Sequence, residues 1–111
     1  MSKYIVIGSY SDEGAGGLVG GDSNREAAME ALCNSVGAKL ISADITRGNY
    51  DFCVICEAET FSQVAAMTLK ARASGAIGEC FTLESVDYQE IRNVAKGVKY
   101  TPPSGYKIAH F

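Results

Sequence analysis

Ile45-Thr46-Arg47-Gly48-Asn49-Tyr50-Asp51-Phe52 joins two apolar runs, Leu40 to Arg47 and Tyr50 to Ala58, through the dipeptide Gly48-Asn49. Glycine first in a two-residue loop suits a type II′ turn, and Gly-Asn also tolerates the two positive φ values of type I′. A loop of this length sets the register. Arg47 is expected opposite Tyr50, Thr46 opposite Asp51, Ile45 opposite Phe52, Ala43 opposite Val54 and Ile41 opposite Cys56, with Asp44 facing Cys53 and Ser42 facing Ile55 on the other parity. The first face (Ile41, Ala43, Ile45, Phe52, Val54, Cys56) is nearly all apolar and belongs under helices. The second mixes Leu40, Cys53 and Ile55 with Ser42, Asp44, Thr46, Asp51 and Glu57, so it needs water or a partner.

Outward from the hairpin, Tyr4-Ile5-Val6-Ile7 is a continuous apolar run that fits an inner strand. Residues 11–22 follow, with glycine at 14, 16, 17, 20 and 21 out of twelve in the chain and no helical or alternating period. This stretch reads as a long mobile connection, a lid or an oligomer contact. It lacks the Gly-Lys-Ser/Thr ending of a phosphate-binding loop and the tight glycine spacing of a dinucleotide fingerprint. Ser23-Asn24-Arg25-Glu26 has capping-box form, and Ala28, Met29, Leu32, Cys33 and Val36 recur at helical spacing up to Gly37. A helix over 24–36 is expected, with Arg25 in its first turn where a cation opposes the helix dipole. Thr60-Phe61-Ser62-Gln63 is a second capping box, opening a helix that ends near Ser74-Gly75. Residues 77–86 read as a fourth strand, and a short helix follows from Asp87 through Ile91, Val94 and Ala95 to Gly97.

Strand, helix, strand, strand, helix, strand is the order of an α+β, ferredoxin-like βαββαβ domain: a four-stranded antiparallel sheet with two helices on one face, here with a short C-terminal helix and an extended tail. Residues 1–97 form the expected domain, and 98–111, with Pro102-Pro103, Tyr106 and His110, an extended arm of that same domain. The open sheet face carries apolar residues, which predicts a homo-oligomer, most simply a dimer with sheets face to face.

At 111 residues, 47% hydrophobic and 21% charged, the chain has the make-up of a single globular domain. A net charge of -3 with scattered Lys and Arg gives no basic footprint for nucleic acid or anionic membrane. The N-terminus shows no signal-peptide pattern, and a cytoplasmic protein is expected. Cys33, Cys53, Cys56 and Cys80 are expected as reduced thiols. Cys53 and Cys56 share one strand and point to opposite faces, and no His completes a metal site, so no metal and no cofactor are expected.

Several of these segments together resemble the bacterial GYD-domain family, whose Gly-x-Tyr-Asp signature appears as Gly48-Asn49-Tyr50-Asp51. The likeness also takes in Tyr4 to Tyr10, the acidic glycine-rich Ser11 to Leu18, Gly37-Ala38-Lys39-Leu40, Glu57-Ala58 and Tyr100-Thr101-Pro102-Pro103 with Gly105. It implies a ferredoxin-like domain of the kind that pairs into dimeric α/β barrels, and it implies no reaction. Cys53 and Cys56 stand where the family more usually has aliphatic residues.

Two roles are open for the signature. In the structural one, Gly48 supplies the turn, Tyr50 packs beside Arg47, and Asp51 accepts from the Thr46 hydroxyl or nearby backbone N–H groups. In the functional one, Tyr10, Arg47, Tyr50 and Asp51 bind a ligand at the mouth of a pocket, with Arg47 as anion clamp, Tyr50 as donor and Asp51 as base. The leading functional expectation is a small-molecule-binding or sensing domain acting as a homo-oligomer, because no nucleophile, base and orienter stand together in the sequence. The alternatives are a cofactor-independent monooxygenase or isomerase of the dimeric α/β barrel type, which rests on fold analogy, and a structural or partner-binding oligomer without a ligand.

Overall fold

A computed structural model of the chain describes residues 1–21 and 24–104. Its elements are β1 (Ser2–Tyr10), α1 (Asp12–Gly20), α2 (Arg25–Ser35), β2 (Lys39–Ile45), β3 (Phe52–Ala58), α3 (Phe61–Ala73), β4 (Ile77–Ser85) and α4 (Tyr88–Ala95). The strands form one antiparallel sheet in the order β2-β3-β1-β4, the ferredoxin-like arrangement. The two most continuously apolar strands, β1 and β3, lie in its centre, where each is hydrogen-bonded along both edges.

The hairpin register agrees with a turn centred on Gly48-Asn49 at Ile45–Phe52, Asp44–Cys53, Ala43–Val54 and Ser42–Ile55. The strands stop at Ile45 and Phe52, however, and the Thr46 N–H closes the loop on the Asp51 carbonyl at 2.8 Å, so the connection is wider than the expected two residues. Gly48 takes φ 127°, and among the described residues no non-glycine takes a positive φ, so Asn49 does not adopt the type I′ geometry. Beyond Ser42 the register slips. A bulge at Ile41 brings Leu40, not Ile41, opposite Cys56. The expected sides of these two residues are thereby exchanged: Leu40 packs against the core and Ile41 is exposed. One extra residue in a strand reverses the facing of all that precede it.

The larger correction is at 11–22. Residues 12–20, expected as a mobile connection, are helix α1. Its entry is fixed by tertiary contacts that outweigh glycine's poor helix propensity. The Ser11 hydroxyl caps it by accepting the Gly14 N–H at 3.0 Å and donates to the Gly75 carbonyl, while the Ser11 N–H donates to the Ala76 carbonyl at 3.0 Å. Asp12 and Glu13 in the first turn suit the helix dipole. Gly14 is required there, since an added Cβ would overlap the Ala76 carbonyl.

Helix α2 begins from Asn24, whose side-chain oxygen accepts the Ala27 N–H at 3.0 Å; the cap expected at Ser23 lies outside the described residues. It ends in a Schellman motif, with Ala38 N–H to the Cys33 carbonyl at 2.9 Å, Gly37 N–H to the Asn34 carbonyl at 3.1 Å, and Gly37 at φ 77°. Helix α3 carries the expected capping box of Thr60 and Gln63. The Gln63 amide also donates to the Val36 carbonyl at 2.7 Å, tying the start of α3 to the end of α2. The core lies between this helical layer and the sheet: Tyr4, Val6, Phe52, Val54, Cys56 and Ala58 from the strands, Cys33 from α2, Val64 and Met67 from α3, and Ala38. Among the described residues, no helix is long and apolar enough to cross a membrane.

Candidate functional site: a cleft, a clasp and an open face

Three surfaces come from this architecture, beginning with a cleft between sheet and helices. Its inner part is lined wholly by apolar and thiol-bearing side chains apart from Thr68, among them Leu32, Cys33, Cys56 and Met67, and its outer part by Tyr10, Arg25, Glu26, Ile45 and Ile77. The inner part has room of about 50 Å³ and the outer part about 90 Å³, and Met29, Phe52, Val54 and Ile77 line both. All four thiols are free. Burial, and after it the neighbouring Cys56 thiol, pushes Cys33 up to about 11, and burial also raises Cys56 and Cys80. These thiols are therefore protonated, apolar wall atoms rather than nucleophiles at neutral pH. Among the described residues no group of three or more His, Cys, Asp or Glu side chains could hold a metal ion.

The second surface is the hairpin turn. Of the four residues singled out from the sequence, Tyr10 and Asp51 are brought together: the Asp51 carboxylate accepts the Tyr10 main-chain N–H at 2.9 Å. The Asp51 N–H in turn donates to the Gly8 carbonyl at 2.7 Å. The Thr46 hydroxyl donates to the Tyr50 carbonyl at 2.6 Å, so it is the main chain of Tyr50 and not the Asp51 carboxylate that it reaches. The Tyr50 ring meets Phe81 of β4 edge-on at 5.6 Å, while Tyr10 packs on Phe52 at 5.3 Å. Phe81 is paired with Ile7 and faces away from the helices. Tyr50 and Tyr10 thus contact rings on opposite faces of the sheet, and Arg47 is exposed at the turn. Gly-x-Tyr-Asp acts as a clasp that fastens the β2–β3 hairpin to β1 and β4. Residues that the sequence reading did not place at the cleft are Met29, Ile77 and Glu26; the helical spacing of Met29 was the available signal.

The third surface is the sheet face opposite the helices. Register places Ile5, Ile7, Cys53, Ile55, Phe81 and Leu83 there together. Phe81 is 45% and Leu83 52% exposed. At one end the row Lys39, Glu57, Lys3 crosses three strands with alternating charge, a polar rim to an apolar centre.

The GYD domain family matches residues 4–95. The chain belongs to the GYD-domain family. A relative in Thermus thermophilus, named "Glutamine synthetase and cystathionine beta-lyase binding protein", is 26% identical over 91 residues, covering 82% of this chain and 95% of the relative. Two solved structures share the fold of this GYD-domain chain. The crystal structure of FFRP-DM1 superposes with a TM-score of 0.51 at 21% identity, over 78% of this chain and all of the other. The hypothetical protein PHS023 from Pyrococcus horikoshii gives 0.50 at 15% identity, over 81% of this chain and 95% of its own. Tyr50 and Asp51 of the family's signature are found here in main-chain and ring contacts between the turn and strands β1 and β4.

Proposed function

We propose that this GYD-domain chain is a binding protein that works as a homo-oligomer and docks on other proteins, without chemistry of its own. The observation that carries the homo-oligomer is the open sheet face, where Ile5, Ile7, Cys53, Ile55, Phe81 and Leu83 lie together beside a charged row at one end. A contiguous apolar surface of that kind marks an interaction site on a monomer of this size. The partner class is supported by the Thermus thermophilus relative, whose name gives two enzymes as what it binds.

A catalytic role has less support: the thiols lining the cleft are shifted away from reactivity, and the Asp51 carboxylate is engaged by a backbone N–H. The cleft itself favours a second reading, a small apolar ligand held under Tyr10 as a sensing input to the docking surface. Arg47, exposed at the turn, is then a contact for a protein partner's carboxylate rather than a clamp inside a pocket.

Sedimentation equilibrium and titration calorimetry test this reading. A dimer at micromolar concentration that Leu83→Asp converts to monomer is expected, together with saturable binding to glutamine synthetase or cystathionine β-lyase. A wild-type chain that stays monomeric at 100 micromolar, on the order of the weakest self-association a cell could use, would overturn the oligomer. Absence of binding to both enzymes would leave the cleft as the functional surface.

A further inference from the structure

Helix α4 stands outside the core. All of Tyr88–Ala95 is exposed, yet Ile91 and Val94, with Val86 before and Val98 after, lie on one side and form an apolar shallow surface with Ala95. Ile91 is 54% and Val94 67% exposed. The helix is well formed locally. Asp87 caps it by accepting the Gln89 N–H at 3.0 Å, and the Arg92 guanidinium lies 4.5 Å over the Tyr88 ring and donates to its hydroxyl. Eight residues are nonetheless too few to hold a helix in water without packing, since helix nucleation is costly and isolated helices below about 12 residues are marginal. Its helical form and its apolar stripe both call for a cover that this chain's own helical layer does not supply.

We infer that α4 is an arm that packs on a second copy of this chain, against that copy's open sheet face. Three observations select a second copy. Phe81, Leu83, Val86, Ile91, Val94 and Val98 are each between 45% and 67% exposed, a larger apolar surface than a stable monomer leaves uncovered and of the kind that a second copy buries. The apolar stripe is also continuous in sequence with the open face: Phe81 and Leu83 of β4 lead through Val86 directly into α4. Finally, one chain carries both halves of the contact, a flat apolar face and a projecting helix leaving the edge strand beside it, which is what a two-fold symmetric pair requires. The inference rests on the proposed oligomer and adds the element that completes it.

Hydrogen exchange on the full chain, read with its oligomeric state across a dilution series, tests it. Protection of the α4 amides at least about tenfold over the unstructured rate, lost in step with the dimer on dilution, is expected. The double variant Ile91→Asp, Val94→Asp should raise the dimer dissociation constant by about a hundredfold, each position losing a buried side chain, with exchange in β1 and β3 unchanged. A wild-type dimer whose α4 amides exchange at the unstructured rate would overturn the arm while leaving the oligomer standing. A wild-type chain monomeric throughout would overturn both, and a double variant that dimerises like wild type would overturn the arm alone.

Discussion

The Asp51 carboxylate accepts the main-chain N–H of Tyr10 at 2.9 Å, joining the turn of the β2–β3 hairpin to the end of β1. Through that bond the last residue of the family's signature ties the β2–β3 turn to β1, one of the two central strands. Asp51→Ala is expected to lower unfolding free energy by about 1 kcal/mol, below the range for a buried charged acceptor because the bond is exposed. Asp51→Asn, which keeps an acceptor oxygen, should lose about half as much. Urea unfolding of the two variants checks this; equal stability to wild type in Asp51→Ala would return the residue to the functional reading.

Tyr50 and Phe81 make the companion contact on the other sheet face. Tyr50→Ala and Phe81→Ala should each destabilise, and the double variant should fall short of their sum by about 1 kcal/mol, the worth of an aromatic pair beyond its area. A double-mutant cycle by chemical denaturation measures that coupling directly. Strict additivity would mean that the two rings are merely neighbours.

Glycines within one helix should answer substitution in opposite ways. At Gly14 an added Cβ meets the Ala76 carbonyl, whereas at Gly16 nothing lies within 4 Å. Gly14→Ala is therefore expected to cost more than about 2 kcal/mol through a forced backbone shift, and Gly16→Ala to stabilise by about 0.5–1 kcal/mol by removing unfolded-chain entropy. Thermal melts of both variants decide it, and destabilisation at Gly16 would show that α1 is not helical there.

The buried thiols give the protein an alkaline limit. Cys33 has its folded value raised from 9.0 to about 11. A raised value favours the protonated form in the folded state, so this contribution to stability is complete below pH 9 and is lost as pH rises through 11. Unfolding free energy should be flat in this term from pH 7 to 9 and decline above it. Cys33→Ala should weaken that alkaline slope. Slow alkylation of Cys33 in the native state at pH 8, accelerating on unfolding, is the matching chemical readout.

Local signals by themselves determined the frame of this protein. Gly48-Asn49 marked the centre of the turn and with it four register pairs, Thr60 with Gln63 opened α3, and Gly37 and Gly75 closed α2 and α3, because each is a short-range contest between backbone groups and one or two side chains. The alternation of Phe81 and Leu83 against Cys80, Thr82 and Glu84 likewise gave the faces of β4. Tertiary structure decided the rest. Helix α1 exists because Ser11 and Gly14 meet Gly75 and Ala76, residues more than sixty positions away that no local pattern joins to them. The bulge at Ile41 exchanged the sides of Leu40 and Ile41 through pairing with β3, and Tyr50 turned to Phe81 because β4 lies beside β1. A sequence records which groups can satisfy one another nearby; which distant groups compete for them is set only once the sheet has closed.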